Sequence, residues 1–262
     1  VAAPILQRRL PFTPWAEPAL ARLPGLAPVE GPWVVVDEAY GPQMAERARL
    51  LRTARDAVLI ALPGTEEVQA EALDAVRAGL PPGFAPGPVA GRRPAAPLEE
   101  IAALVQEDVL LCLPRDGAHV LVAGLLCFPA SWTLAEKMGR PLAAIHAPVP
   151  DYDAALAARV ERLFRLARPG RPTWRANALA YHDPALHQPR PEGAPRPAPG
   201  PAPYLRCERQ TILRLPRTGA ILFAVHTYVL PACALSPAQR AGCPVPLDYG
   251  ATGAKCLESF SA

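Results

Sequence analysis

Apolar positions in the first third of the chain recur at helical spacing, and from Asp108 onward the period shortens to that of strands. Met44, Ala48 and Leu51 follow Gly41-Pro42 in helical register. Val68, Ala72, Leu73, Val76 and Leu80 predict a second helix, with Thr65 as N-cap and Glu66 and Glu67 in its first turn. Pro81-Pro82-Gly83 stops it, a loop follows to Pro97, and Leu98, Ile101 and Leu104 mark a third helix over 98–106. Two apolar runs, 109–113 and 119–128, then flank Arg115-Asp116-Gly117, a hairpin turn signal. Thr133 with Glu136 reads as a capping box, and Gly139 as the C-terminal cap of a short helix. A longer helix starts at Asp151 or Asp153. It sets Leu156, Val160, Leu163, Phe164 and Ala167 on one face and Arg159, Arg162, Arg165 and Arg168 on a solvated side. After a stiff proline-rich connection over 189–203, runs at 204–215 and 220–230 surround Pro216-Arg217-Thr218-Gly219 and predict a second antiparallel hairpin.

Helices, hairpin, helices, hairpin is the order of an α+β fold with an antiparallel sheet. Residues 1–97 are expected to be a helical extension packed on a core of 98–235, and 236–262 to be a divergent tail. Half of the 262 residues are hydrophobic, enough for a sizeable core. A net charge of +3, without basic runs interleaved with aromatics, argues against nucleic-acid binding. No apolar stretch reaches the ~20 residues of a membrane span, and the N-terminal residues lack the pattern of a signal peptide, so the expectation is no membrane association and a cytoplasmic location. Six cysteines occur without a C-x-x-C pair, which argues against a zinc ribbon, an iron–sulfur cluster or covalent haem attachment. They are expected to be unlinked thiols.

A string of ordered motifs adds to this reading. Gln106-Glu107-Asp108 precedes the first hairpin, and Cys127-Phe-Pro-Ala-Ser-Trp132 follows it. Next come Leu134-Ala-Glu-Lys-Met-Gly139 and Ile145-His146-Ala-Pro148-Val-Pro150, then Tyr204-Leu-Arg-Cys-Glu208-Arg209-Gln210-Thr211, Leu215-Pro-Arg-Thr-Gly219 and Thr227-Tyr228. Earlier matches are Val36-Asp37-Glu38 with Tyr40, and Leu62-Pro63-Gly64. In these segments the chain resembles the alpha subunit of the haem-dependent oxidative N-demethylases, over most of residues 11–235. The resemblance implies a PAS-like haem domain that removes a methyl group from a small secondary amine such as dimethylamine. It also implies dioxygen as oxidant, formaldehyde as a product, and a separate flavin and iron–sulfur reductase. No G-x-G-x-x-G fingerprint or cluster-type cysteine spacing is present, which fits electrons supplied from outside.

Non-covalent haem b needs an axial donor, commonly an imidazole. Of five histidines, His146 is the first choice, because the prolines after it restrict the backbone; the alternative is a loop hydrogen bond. His119, His182 and His187 are read as surface residues. Arg206, Glu208, Gln210, Ile212 and Arg214 alternate onto one strand face, either solvated or lining a pocket. The resemblance favours a pocket, with Arg206 or Arg209 holding haem propionates. Tyr228 and His226 share a face of the partner strand, where Tyr228 either hydrogen-bonds oxygen or substrate or simply packs. Glu107 either relays protons near the haem or caps a helix. The family pattern has arginine where His226 stands and tryptophan where Ala178 follows Asn177. A mostly apolar strand face predicts a neutral His226 and a weaker demethylase. Two other functions compete: a haem-based PAS-like gas or redox sensor, and a divergent non-catalytic paralogue.

Overall fold

The computed structural model describes residues 3–20, 25–86, 96–147, 153–195 and 200–250. Its elements in chain order are β1 (Ala27–Pro28), α1 (Tyr40–Thr53), α2 (Arg55–Val58), β2 (Leu59–Ala61), α3 (Glu66–Gly79), α4 (Pro97–Leu104), β3 (Asp108–Arg115) and β4 (Ala118–Leu125). There follow α5 (Leu134–Lys137), α6 (Leu142–His146), α7 (Ala154–Leu166), β5 (Thr173–Ala176), β6 (Leu179–Tyr181), β7 (Tyr204–Arg214), β8 (Ile221–Pro231) and α8 (Pro237–Arg240). Among the described residues the strands form one eight-stranded antiparallel sheet, ordered β1-β5-β7-β8-β3-β4-β2, with β6 also on β7. The expected α+β class and PAS-like antiparallel sheet with flanking helices are thus present.

Both predicted hairpins form the centre of the sheet. Asp116 and Gly117 turn the first one with φ of 49° and 82°, the two positive values that a tight two-residue turn requires. The second hairpin pairs β7 with β8 along its whole length, from Tyr204 opposite Pro231 to Arg214 opposite Ile221.

The sheet is covered on both faces. On the back, Leu50, Val58, Val68, Ala72, Leu98 and Ile101 of α1–α4 pack on Val109, Leu111, Ala123, Leu125, Leu222 and Ala224. On the front, Leu134, Leu142 and Phe164 of α5–α7 pack on Leu110, Cys112, Ile212 and Ile221. Gly124 of β4 lets α5 come close, since a Cβ there would lie 2.9 Å from both Leu110 and Leu134.

Several expectations change. The N-terminal segment is more than a helical extension, because β1 and β2 are strands of the sheet, paired with β5 and β4. Strands β5 and β6 went unpredicted; four and three residues long, they show no apolar alternation and exist because they pair with β7. Thr133 is the N-cap of α5, but its hydroxyl bonds the Glu136 carboxylate rather than a backbone N–H. Asp153 does cap α7, accepting from Leu156 N at 2.7 Å; Asp151 lies outside the described residues. Of the apolar face expected on α7 only Phe164 is buried. Cys233 is held in a disulfide, so the expectation of six unlinked thiols is corrected. No helix among the described residues is long and apolar enough to cross a membrane.

Candidate functional site

Strand pairing sorts the polar residues of β7 and β8 onto two faces. Glu208 lies opposite Thr227, Arg206 opposite Val229 and Gln210 opposite Val225, while Arg209 lies opposite His226 and Cys207 opposite Tyr228. Directly opposed residues share a face and their neighbours take the other. Arg206, Glu208, Gln210 and Thr227 therefore face the front with Arg175, which pairs with Gln210. Arg209, His226 and Tyr228 face the back.

The back face carries a dense polar knot. His226 is fully buried, with Nε2 3.0 Å from Asp37 Oδ2 and Nδ1 3.4 Å from Glu107 Oε1. Asp37 also accepts from Gln7 Nε2 at 3.0 Å and Gln106 Nε2 at 2.8 Å, and Glu107 from Val35 N at 2.7 Å. Burial pulls the His226 pKa down, but the Asp37 hydrogen bond and the two carboxylate charges outweigh it and raise it to about 9. Burial likewise works against ionised Asp37, yet the His226 contact brings its pKa to about 2. The expected neutral His226 is corrected: the strand's own neighbours are apolar, but carboxylates distant in sequence make it a cation. Tyr228 lies against the His226 ring at 4.7 Å and edge-on to Phe12 at 5.4 Å, and burial pushes its phenol up. Arg209 stacks on Trp174 at 5.1 Å and donates to Trp33 O and Thr211 Oγ1. Ala178 packs in the same apolar cluster as Trp15 and Trp174.

A buried ion pair ties this side to the front. Arg47 of α1 contacts Asp108 at 3.0 Å, and Asp108 accepts from Cys127 N and Phe128 N, both at 2.8 Å. Phe128 O in turn accepts from Arg206 Nη2 at 2.5 Å.

On the front, Arg206 is buried; it donates from Nη1 to Leu186 O at 3.0 Å and lies over the Tyr181 ring. Glu208 Oε2 accepts from Asn177 Nδ2 at 2.9 Å and Gln210 Nε2 at 3.2 Å, whereas its Oε1 is 3.7 Å from Arg206 Nε, beyond a hydrogen bond. Among the buried polar atoms on this face that lack a hydrogen-bond partner among the described residues are Arg175 Nε, Arg206 Nε, Arg214 Nε and Thr227 Oγ1.

His146 ends α6, above the front face. Its Nδ1 lies 2.9 Å from Leu142 O, which can only accept, so Nδ1 carries the proton and Nε2 the lone pair. Burial lowers its pKa against that hydrogen bond, and the charges of Lys137 and Arg175 lower it further, so the ring is neutral. Lys137 Nζ anchors the helix by donating to Ile145 O at 2.9 Å and pairing with Glu192. Pro148 and Pro150 of the motif lie outside the described residues.

The remaining histidines divide. His182 is exposed and His187 is half-buried with Nδ1 2.8 Å from Cys127 O, but His119 is buried against Glu161 at 2.5 Å and is not the expected surface residue. Strand alternation alone marks Thr227 as sharing the front with Glu208, whereas Arg175 had no signal, because its strand was not foreseen.

A neutral imidazole over a sheet face that carries arginines would offer a cofactor a nitrogen donor and cations for its acid groups. Among the described residues no cluster of three or more His, Cys, Asp or Glu could hold a bare ion. Fold and site together define a PAS-like α+β protein with a polar face under its histidine-bearing helix. The family model for haem-dependent oxidative N-demethylase, alpha subunit-like proteins matches residues 86–242, more than half of the chain, and this chain belongs to that family.

Proposed function

We propose that this protein binds non-covalent haem b between α6 and the front of the sheet, with His146 as axial ligand, and demethylates a small secondary amine of the dimethylamine kind. The observation that carries the reading is His146 itself: a neutral ring whose Nδ1–H is fixed on Leu142 O keeps its proton off Nε2, the tautomer of imidazole ligands oriented by a backbone carbonyl behind them. Haem supplies the chemistry with dioxygen by which the methyl carbon leaves as formaldehyde, with electrons from a separate flavin and iron–sulfur reductase.

The chain's own residues bind and orient. Arg175 is the cation for the haem acid groups, and Arg206 pins the loops at Phe128 and Leu186 over the site. Glu208 is the front-face carboxylate that pairs with the substrate ammonium. In this reading Glu107, His226, Tyr228 and Arg209 act from behind, by holding β8 and β7 in place.

Purified protein supplied with haem should show a Soret band, and His146→Ala should lose haem and change the ferric spectrum. Formaldehyde release from dimethylamine with a reductase should fall at least 100-fold in the same variant. Unchanged coordination in His146→Ala would overturn the site.

A further inference from the structure

We propose that Glu208 and Thr227 form a two-acceptor cradle that selects a secondary ammonium ion by its two N–H groups. This rests on the front-face haem site above and adds the residue that sets its substrate class.

Thr227 is fully buried, yet its hydroxyl has no hydrogen-bond partner among the described residues. A buried hydroxyl left unpaired is a standing cost to a fold. The backbone cannot easily move to relieve it. Its carbonyl accepts from two buried amides, Gln7 Nε2 at 3.2 Å and Gln43 Nε2 at 3.1 Å, and its neighbour His226 is locked between Asp37 and Glu107. Such a group is held in place for a partner that the fold itself does not supply.

Directly across the ladder stands Glu208. Opposed residues hold their Cβ atoms roughly 4.5–5.5 Å apart, a span that one nitrogen can bridge. Glu208 Oε2 is taken by Asn177 and Gln210, which leaves Oε1. The nearest cation, Arg206, spends both Nη atoms on Phe128 O and Leu186 O and keeps only Nε, 3.7 Å away.

A dialkylammonium ion carries one positive charge and two N–H donors. Glu208 Oε1 takes the charge and one donor; Thr227 Oγ1 takes the other. Val225 and Val229 flank Thr227 on the same face and are buried, offering apolar contact to the alkyl groups. A tertiary ammonium has one N–H and leaves Thr227 unpaired. A primary ammonium, the demethylated product, has a third N–H that the pair does not accept. Leaving a polar group unpaired is how such sites discriminate.

Calorimetric titration of the haem-loaded protein with dimethylamine and with trimethylamine tests this. Wild type should bind dimethylamine more tightly. Thr227→Val should weaken dimethylamine about 3–10-fold, leave trimethylamine nearly unchanged and erase the preference, while Thr227→Ser keeps it. The melting temperature of Thr227→Val should equal or exceed wild type, since an unpaired hydroxyl is removed; a lower one would mean that the hydroxyl serves the fold. Undiminished dimethylamine binding by Thr227→Val, or none by wild type, overturns the cradle. If instead His146→Ala keeps wild-type haem coordination, it is the haem site that fails.

Discussion

Between His226 and Thr227 strand β8 turns from one side of the sheet to the other, and that single step separates a buried cation from an unpaired hydroxyl. His226 and Tyr228 were legible as chemistry-bearing residues on one face. What covers that face was not, because Asp37 lies 189 positions away in the chain. The resulting pair predicts a pH profile. The folded pKa of His226, about 9, exceeds its ordinary 6.5, so its contribution to stability is complete below 6.5 and fades as pH rises towards 9. Asp37, lowered to about 2 from 3.8, contributes above 3.8 and loses that share as pH falls towards 2. Both shifts describe the same interaction and are counted once, on the order of 2–4 kcal/mol. Denaturant unfolding from pH 4 to 10 should show a plateau, then a decline above 7. His226→Leu, which buries both carboxylates without a cation, should lose about 3–5 kcal/mol at pH 7 and flatten that decline.

At the scale of elements, helices with long apolar periods and hairpins with marked turns were readable, and short partners were not. Strand β5 carries Arg175 into the front face, yet Thr173–Ala176 has no pattern of its own; its conformation comes from β7. Helix α3 shows packing overriding local preference in the other direction. Gly79 ends it, where alanine normally favours helix by about 0.5–1 kcal/mol. A Cβ there would lie 2.7 Å from Trp33 Cδ1, inside the indole's contact distance. Gly79→Ala should therefore destabilise, by about 1–3 kcal/mol in urea unfolding. A stabilised variant would show that Trp33 is free to move aside.

For the molecule as a whole, the stretch matched by the family model, 86–242, is not a self-sufficient unit. Both edge strands come from before it, as do α1–α3 on the back face. Arg47 and Asp37, the partners of Asp108 and His226, also precede it. Expressed alone, 86–242 should leave Asp108 without Arg47, His226 without Asp37, and the back of the sheet covered by α4 alone. It should aggregate or give a circular dichroism melt without a cooperative transition, whereas residues 3–250 should melt cooperatively.

Periodicity, turn chemistry and ordered motifs determined the α+β class, the two central hairpins, the family and His146 as the candidate ligand, since each of these is written in residues close together in the chain. Tertiary structure alone decided which polar residues share a face with His146, that His226 is charged, that Arg175 joins the front and that Thr227 is left unpaired. The reason is physical: charge state and hydrogen-bond completeness depend on whatever packs across the sheet, and here those neighbours arrive from more than a hundred residues away.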